Sequence, residues 1–323
     1  MNRITAIGKY LDQPMLTAKI NKYVPHTLAI GSGVYLGKVL HDKPIEEKKK
    51  EGFKSAIILA ATAISAVFAP KIASKVTGRK MSKTLSQVKK SNAEFVDEFV
   101  SKNKNNELNP ILEKTKNKLL SLSDITTLFN KDKKLGDKII PPPDNIQAKD
   151  IFNEIGYLSV YGAVPVAGGI TGGIVADRIS EPDWKKRIPN KINEGVYQYL
   201  ANIFLCNVGA GAALGVLEKS NVKSKTARCL GMVGGILLTG VIGGSVMANY
   251  IGNKLINPII SKDKKEEKRT PELLDLSLHT DDIATVSLLS GLKWIEPSLP
   301  ILYSISGYRA GIGYRNNKED SDK

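Results

Sequence analysis

Three uncharged runs decide what this chain can fold into. Ile155 to Ala176 is 22 residues between Glu154 and Asp177, Gly195 to Leu217 is 23 between Glu194 and Glu218, and Cys229 to Asn253 is 25 between Arg228 and Lys254. A helix needs about 20 predominantly apolar residues to cross the hydrocarbon core of a bilayer, so each run is long enough. In lipid every backbone N–H must bond within its own segment. That favours a helix even in the third run, whose Gly231, Gly234, Gly235, Gly240, Gly243, Gly244 and Gly252 would each cost about 1 kcal/mol against alanine in water.

The same glycines suggest how such helices meet. Small residues four apart let two helix backbones approach closely. Gly168, Gly172 and Ala176 form one ridge, Gly240, Gly244 and Ala248 another, and Gly211 and Gly215 a third, with Asn207 a turn earlier as a donor across the interface. At an offset of 72, Gly162, Gly168, Gly172 and Ala176 match Gly234, Gly240, Gly244 and Ala248, a weak internal symmetry of a kind known in transporters. Tyr157, Tyr161, Trp184, Tyr197, Tyr199 and Tyr250 lie near the ends of the runs, where amphipathic rings favour the headgroup level.

Other apolar stretches are weaker. Val24 to Leu40 places Ala29, Gly33 and Gly37 at the same small-residue spacing but contains His26 and Lys38; Ser55 to Pro70 is 16 residues, just short of a span. Ile283–Leu292 and Pro297–Tyr308 are too short to cross and suit a re-entrant or interfacial hairpin, with Lys293 and Glu296 placed to pair. The tail repeats Gly-Tyr-Arg at 307–309 and 313–315, which suits a lipid headgroup. Ile4, Ile7 and Leu11 share a face before Pro14, a short amphipathic helix.

Residues 71–154 are of another kind. Phe95, Val96, Phe99 and Val100 recur at helical spacing among charges, Ile111, Leu112, Leu119 and Leu120 follow Pro110, and Pro141-Pro142-Pro143 makes a stiff spacer. The expected architecture is therefore all-α: multi-pass or partly re-entrant membrane helices packed through Gly/Ala-rich faces, with a polar, partly disordered helical insert. Four regions follow: 1–78, 79–154, 155–260 and 261–323.

With 47 Lys and Arg against 32 Asp and Glu the chain carries +15. Lysine is spread through the connecting segments without a recognition motif, so anionic lipid headgroups account for the charge better than a nucleic acid does. Orientation does not follow from it. If only the three strong runs cross, 177–194 and 254–269 share a side with five and six Lys/Arg, which the positive-inside rule places in the cytoplasm. Residues 71–90, with seven, then lie outside.

Enzyme signatures fail. Gly209 and Gly211 fit the first two glycines of a dinucleotide fingerprint, but Leu214 occupies the third place, the apolar run before it is too long for a strand, and no acid lies between Glu218 and Asp263. There is no P-loop and no nucleophile elbow. Cys206, Cys229 and the three histidines have no metal-ligand spacing. His279, Asp281 and Asp282 are the best polar cluster, more simply a helix cap. The sequence thus points to a membrane protein without a cofactor, metal or catalytic site, serving structure or assembly through small-residue faces, with lipids and copies of itself as partners. A passive channel or transporter is the rival, and a Rossmann-type enzyme comes third.

Overall fold

In the computed structural model the described residues, 1–142, 147–261, 268–273, 275 and 296–314, are helical with no strand among them. By packing, the chain forms two compact units. One contains residues 1–24 and 82–145; the other contains 25–81 and 146–283 and resumes at 299. By packing, residues 1–24 thus group with the polar insert.

The smaller unit is built as a water-soluble helical domain is. α1 (Arg3–Leu11) starts at Asn2, whose side chain accepts from Thr5 N, and α2 (Pro14–His41) follows at once. The boundary between units falls inside α2 at Pro25, where a ring replaces a backbone N–H. α3 (Ile45–Thr77) belongs wholly to the larger unit. α4 (Leu85–Lys102) and α6 (Leu122–Lys131) open with capping boxes, Thr84 with Gln87 and Ser121 with Asp124. Between them lies α5 (Asn109–Thr115), and Asp132 ends α6 while capping α7 (Lys133–Ile139). Their apolar faces meet in a core of Val96, Leu112, Leu120, Ile125, Leu128 and Ile140, all essentially without solvent contact. Gln13 clamps Leu120 through both amide atoms, donating to its carbonyl at 3.1 Å and accepting from its N–H at 2.7 Å. Over 85–139, then, the insert expected to be partly disordered forms four packed helices.

The larger unit holds four helical rods long and apolar enough to cross a membrane: Ile45–Thr77, Ala148–Ser180, Trp184–Lys219 and Ala227–Ile260. The three strong runs fall inside the last three, and the 16-residue stretch 55–70 falls inside the first. α8 (Ala148–Ser180) is antiparallel to α3, as shown by Lys54 meeting Asp177 and Glu181 at one end and Arg79 meeting Glu154 at the other. The third rod joins α9 (Ile188–Tyr199) to α10 (Leu205–Lys219) through a π-helical stretch, Leu200–Phe204. The fourth joins α11 (Lys225–Ile236), α12 (Ser245–Ile251) and α13 (Asn257–Ile260) through π stretches at Leu237–Gly244 and Gly252–Ile256.

Outward-facing side chains of these rods are apolar in stripes. Ile64, Phe68, Ile72 and Val76 are exposed at intervals of four along α3, and Leu238, Ile242, Val246 and Tyr250 along the fourth rod. In water such stripes would be unpaired surface; against acyl chains they are the expected exterior. Two apolar stretches do not qualify as spans. α2 is not among the four rods, and α14 (Leu299–Ile312) has only 14 residues. α14 lies inside the unit, parallel to α8, as a half-length helix whose Ser306, Gly307, Arg309 and Ala310 are buried. The stretch 283–292, Lys293 and the cluster His279, Asp281 and Asp282 lie outside the described residues.

Candidate functional site

The glycines come first, because they set how close the rods lie. A Cβ at Gly168 or Gly172 would overlap Ser65 or Ala61 of α3, and Ala176 on the same face is fully buried. The neighbouring face of α8 serves a second partner: a Cβ at Gly169 would overlap the carbonyl of Gly307, and one at Gly173 that of Gly311. The run GGITGG therefore gives α8 two small faces, one for α3 and one for α14. The ridge of Gly168, Gly172 and Ala176 accounts for the first alone. Gly307-x-x-x-Gly311 repeats the spacing and was the available signal for the second.

The other ridges also close within the chain. Gly240 and Gly244 pack on Ala201 and Cys206 of the third rod, with Ala248 buried beside them. Gly209 faces Gly235 and Thr239 in the same antiparallel hairpin, Gly211 faces Phe152, and a Cβ at Gly215 would lie in ordinary contact with Ala148, at 3.6 Å. Asn207 corrects an expectation. Its amide donates to Ile203 O on its own helix at 2.6 Å rather than across the interface. An amide one turn from a backbone carbonyl satisfies itself locally before it reaches a neighbour.

At one end of the rods lies the feature with chemical content: four buried charges arranged in a ring. Glu194 of α9 faces Arg269 through Oε2, 3.3 Å from Nε, and Arg309 through Oε1, 3.7 Å from Nε. Asp275 closes the ring. Arg269 Nη2 donates to both of its oxygens, at 3.1 and 2.9 Å, and Arg309 Nη1 is 3.5 Å away. All four residues are at most 4% exposed. Glu272 adds a third carboxylate, 3.0 Å from Arg309 Nη2, and accepts from Tyr314 OH at 2.8 Å. The guanidinium of Arg269 lies 4.3 Å from the ring centre of Tyr197, and that of Arg309 4.3 Å from Tyr314. Three carboxylates thus face two guanidiniums. Burial pulls the Arg269 pKa down, but Glu194 and Asp275 outweigh it and leave it raised. For Tyr314 burial and the Glu272 carboxylate both push upward.

A second clasp ties three elements beside this ring. Asp177 of α8 lies 3.4 Å from Lys54 of α3 and 3.0 Å from Lys191 of α9. Lys191 Nζ also donates to Gly311 O, satisfying a free carbonyl at the end of α14. Glu181 takes Lys50 at 2.9 Å and Lys54 at 3.0 Å. From the ring a polar line enters the bundle along the third rod. Gln198 Nε2 donates to Glu194 Oε1 at 2.8 Å, and Asn202 Nδ2 donates to Gln198 Oε1 at 2.8 Å. The π stretch beginning at Leu200 absorbs an extra residue per turn, so Asn207 continues the face that Asn202 began.

Asp177 and Glu194 bracket uncharged runs in the sequence, where a charge ordinarily marks a solvated helix end. Both are interior, because each finds two cations on other elements, Lys54 and Lys191 for Asp177 and Arg269 and Arg309 for Glu194. Arg309 likewise corrects the reading of Gly-Tyr-Arg as a headgroup contact: it is buried and spent on Glu194, Asp275 and Glu272. Among the described residues no group of three or more His, Cys, Asp or Glu is placed to hold a metal ion. Compared with known proteins, the chain matches no family model, no curated protein and no solved structure.

Proposed function

We propose that this chain is an integral membrane protein with a structural or assembly role rather than an enzyme. The carrying observation is the combination of four spanning-length rods with apolar side chains facing outward in stripes. The basic termini of the rods suit anionic headgroups. Because most of the glycine ridges are occupied inside the chain, self-association falls to the small face that is still open. Ala29, Gly33 and Gly37 on α2 are exposed, and a Cβ at either glycine would meet nothing within 4 Å. That face takes a second copy of the same helix by close backbone approach.

The test is crosslinking in native membranes. The parent should resist alkaline extraction and give crosslinked dimers that Gly33→Leu/Gly37→Leu loses. Release at alkaline pH rejects the membrane reading, and dimers of undiminished yield in the variant reject this interface. Reporter fusions add the topology. If all four rods cross, fusions after Lys90 and Val222 share one side, and fusions after Asp183 and Lys264 share the other. That pattern gives 43–54, with five lysines, to the side of 177–194 and shifts the charge balance toward it.

The rival, a transporter or channel, has its own observation in the line Glu194–Gln198–Asn202. Buried ionisable and amide groups in a spanning helix mark solute pathways in such proteins. Solute flux in reconstituted vesicles that Asn202→Leu abolishes would favour it over assembly.

A further inference from the structure

We propose that Arg269 fills, from within the chain, a binding site for a guanidinium-bearing ligand. The recognition groups belong to the bundle. Glu194 on α9 offers a carboxylate oxygen 3.3 Å from Nε, and Tyr197, three residues on, offers its ring face 4.3 Å from the guanidinium carbon. A carboxylate in the plane and an aromatic ring against the face is what a planar, delocalised cation requires and a tetrahedral ammonium does not. Tyr197 is itself fixed, its hydroxyl 3.1 Å from Ser245 Oγ.

Arg269 arrives on a separate piece of chain that brings its own neutralisation. Its backbone is held by Asn249, which accepts from Arg269 N and donates to Arg269 O, both at 2.9 Å. Its Nη2 is spent on Asp275, six residues further on in the same segment. Nη1 turns back on the carbonyl of Thr270, so the bundle meets this side chain through Nε at Glu194 and through its flat faces at Tyr197 and Tyr314. Arg269 therefore sits as a tethered ligand does, and without its side chain Glu194 and Tyr197 are left to take another guanidinium.

The site is also larger than its occupant. Beside Arg269 lies a cavity of about 10 Å³, lined by Asn193, Tyr197, Asn249, Gly252 and Asn253, room for about one water. Asn193 is 8% exposed, and its Oδ1 is a buried acceptor with no hydrogen bond, while its Nδ2 donates to Asn257 at 2.7 Å. Methylguanidinium carries the same five N–H donors as an arginine side chain and, freed of the tether, can turn one toward such an acceptor. This inference is independent of whether the chain assembles or transports.

The experiment uses the full chain in detergent micelles and reads the thermal unfolding midpoint. Arg269→Ala should unfold below the parent, and methylguanidinium should raise its midpoint by about 3–5 °C at ten times its Kd. Methylammonium at equal concentration should not, nor should methylguanidinium act on the parent or on Arg269→Ala/Glu194→Gln. No rise in Arg269→Ala overturns the proposal. So does an equal rise with methylammonium, in the parent, or in the double variant. If Arg269→Ala does not fold, Arg269→Gln is titrated in the same way and the same readings decide.

Discussion

The two units solve the problem of closing a helical structure in opposite ways. In residues 1–24 and 82–145 the helices are short, capped by side chains and held by leucine and isoleucine side chains that leave water. In the larger unit stripes of apolar side chains point outward, and the interior adds close glycine backbones and ion pairs to buried side chains such as Tyr161, Ile203 and Leu214. Area removed from water stabilises the first. It cannot stabilise the second where the surroundings are lipid, so close packing and buried polar contacts take over. One chain thus carries both sets of rules, and each substitution has a different meaning on either side of the boundary.

The largest effect that separates them is loss of a ring charge. Glu194→Leu leaves Arg269 and Arg309 buried with one carboxylate fewer and should destabilise the larger unit by about 3–5 kcal/mol. Hydrogen exchange should then rise across 188–219 and 299–312 and stay unchanged across 85–139. Uniform loss of protection in both units would break the comparison. The counterpart is Leu128→Ala, which removes a fully buried side chain from the smaller unit. It should cost about 2–5 kcal/mol, now with exchange rising across 85–139 and the four rods unaffected.

That contrast also explains what the sequence could reveal. The runs 155–176, 195–217 and 229–253 were legible because uncharged length is a local property. The first rod was less so. Lys54 and Lys71 cut its apolar core to 16 residues, and nothing local says that Lys54 is buried against Asp177 and Glu181. The ring was illegible for the same reason on a larger scale. Glu194 and Arg269 are 75 residues apart, and Glu194 and Arg309 further still. Each alone reads as the polar end of a helix, and only the fold turns four such ends into one interior site. The small-residue ridges were visible as spacings, but which ridge meets which, and that Gly169 and Gly173 receive α14, depended on contacts across the chain.

A smaller effect sharpens the packing half of the comparison. Gly169→Ala puts a methyl group into the Gly307 carbonyl and should cost about 1–3 kcal/mol through forced backbone movement. Gly234→Ala, on a helix of the same unit, meets nothing within 4 Å and should be neutral or gain up to about 1 kcal/mol from helix propensity. The measurement is the midpoint difference between the two variants. If they behave alike, α8 and α14 do not meet through backbone.

The smallest effect is the response to acid, where each unit has one informative carboxylate. The hydrogen bond from Lys50 holds Glu181 down at about 2 from an ordinary 4.5, against burial and helped by Lys54 and Arg187. In the smaller unit burial pushes Asp124 up, but Lys114 and Ser121 outweigh it and leave it below its usual value. Both groups bind protons more weakly folded than unfolded, so both stabilise above the unfolded carboxylate range and lose that contribution as pH falls through their folded values. For Glu181 the window runs from about 4.5 down to about 2. The deficit of Glu181→Gln relative to the parent should be constant near neutrality and shrink across that window. Lys50 is half exposed, so salt screens the pair and the deficit stays small. Asp124→Asn should show the same sign, in the exchange of 122–131 rather than of 45–54. A deficit for Glu181→Gln that grows on acidification would mean that the Lys50–Glu181–Lys54 clasp is not formed, and that the charged end of the rods is held by the buried ring without it.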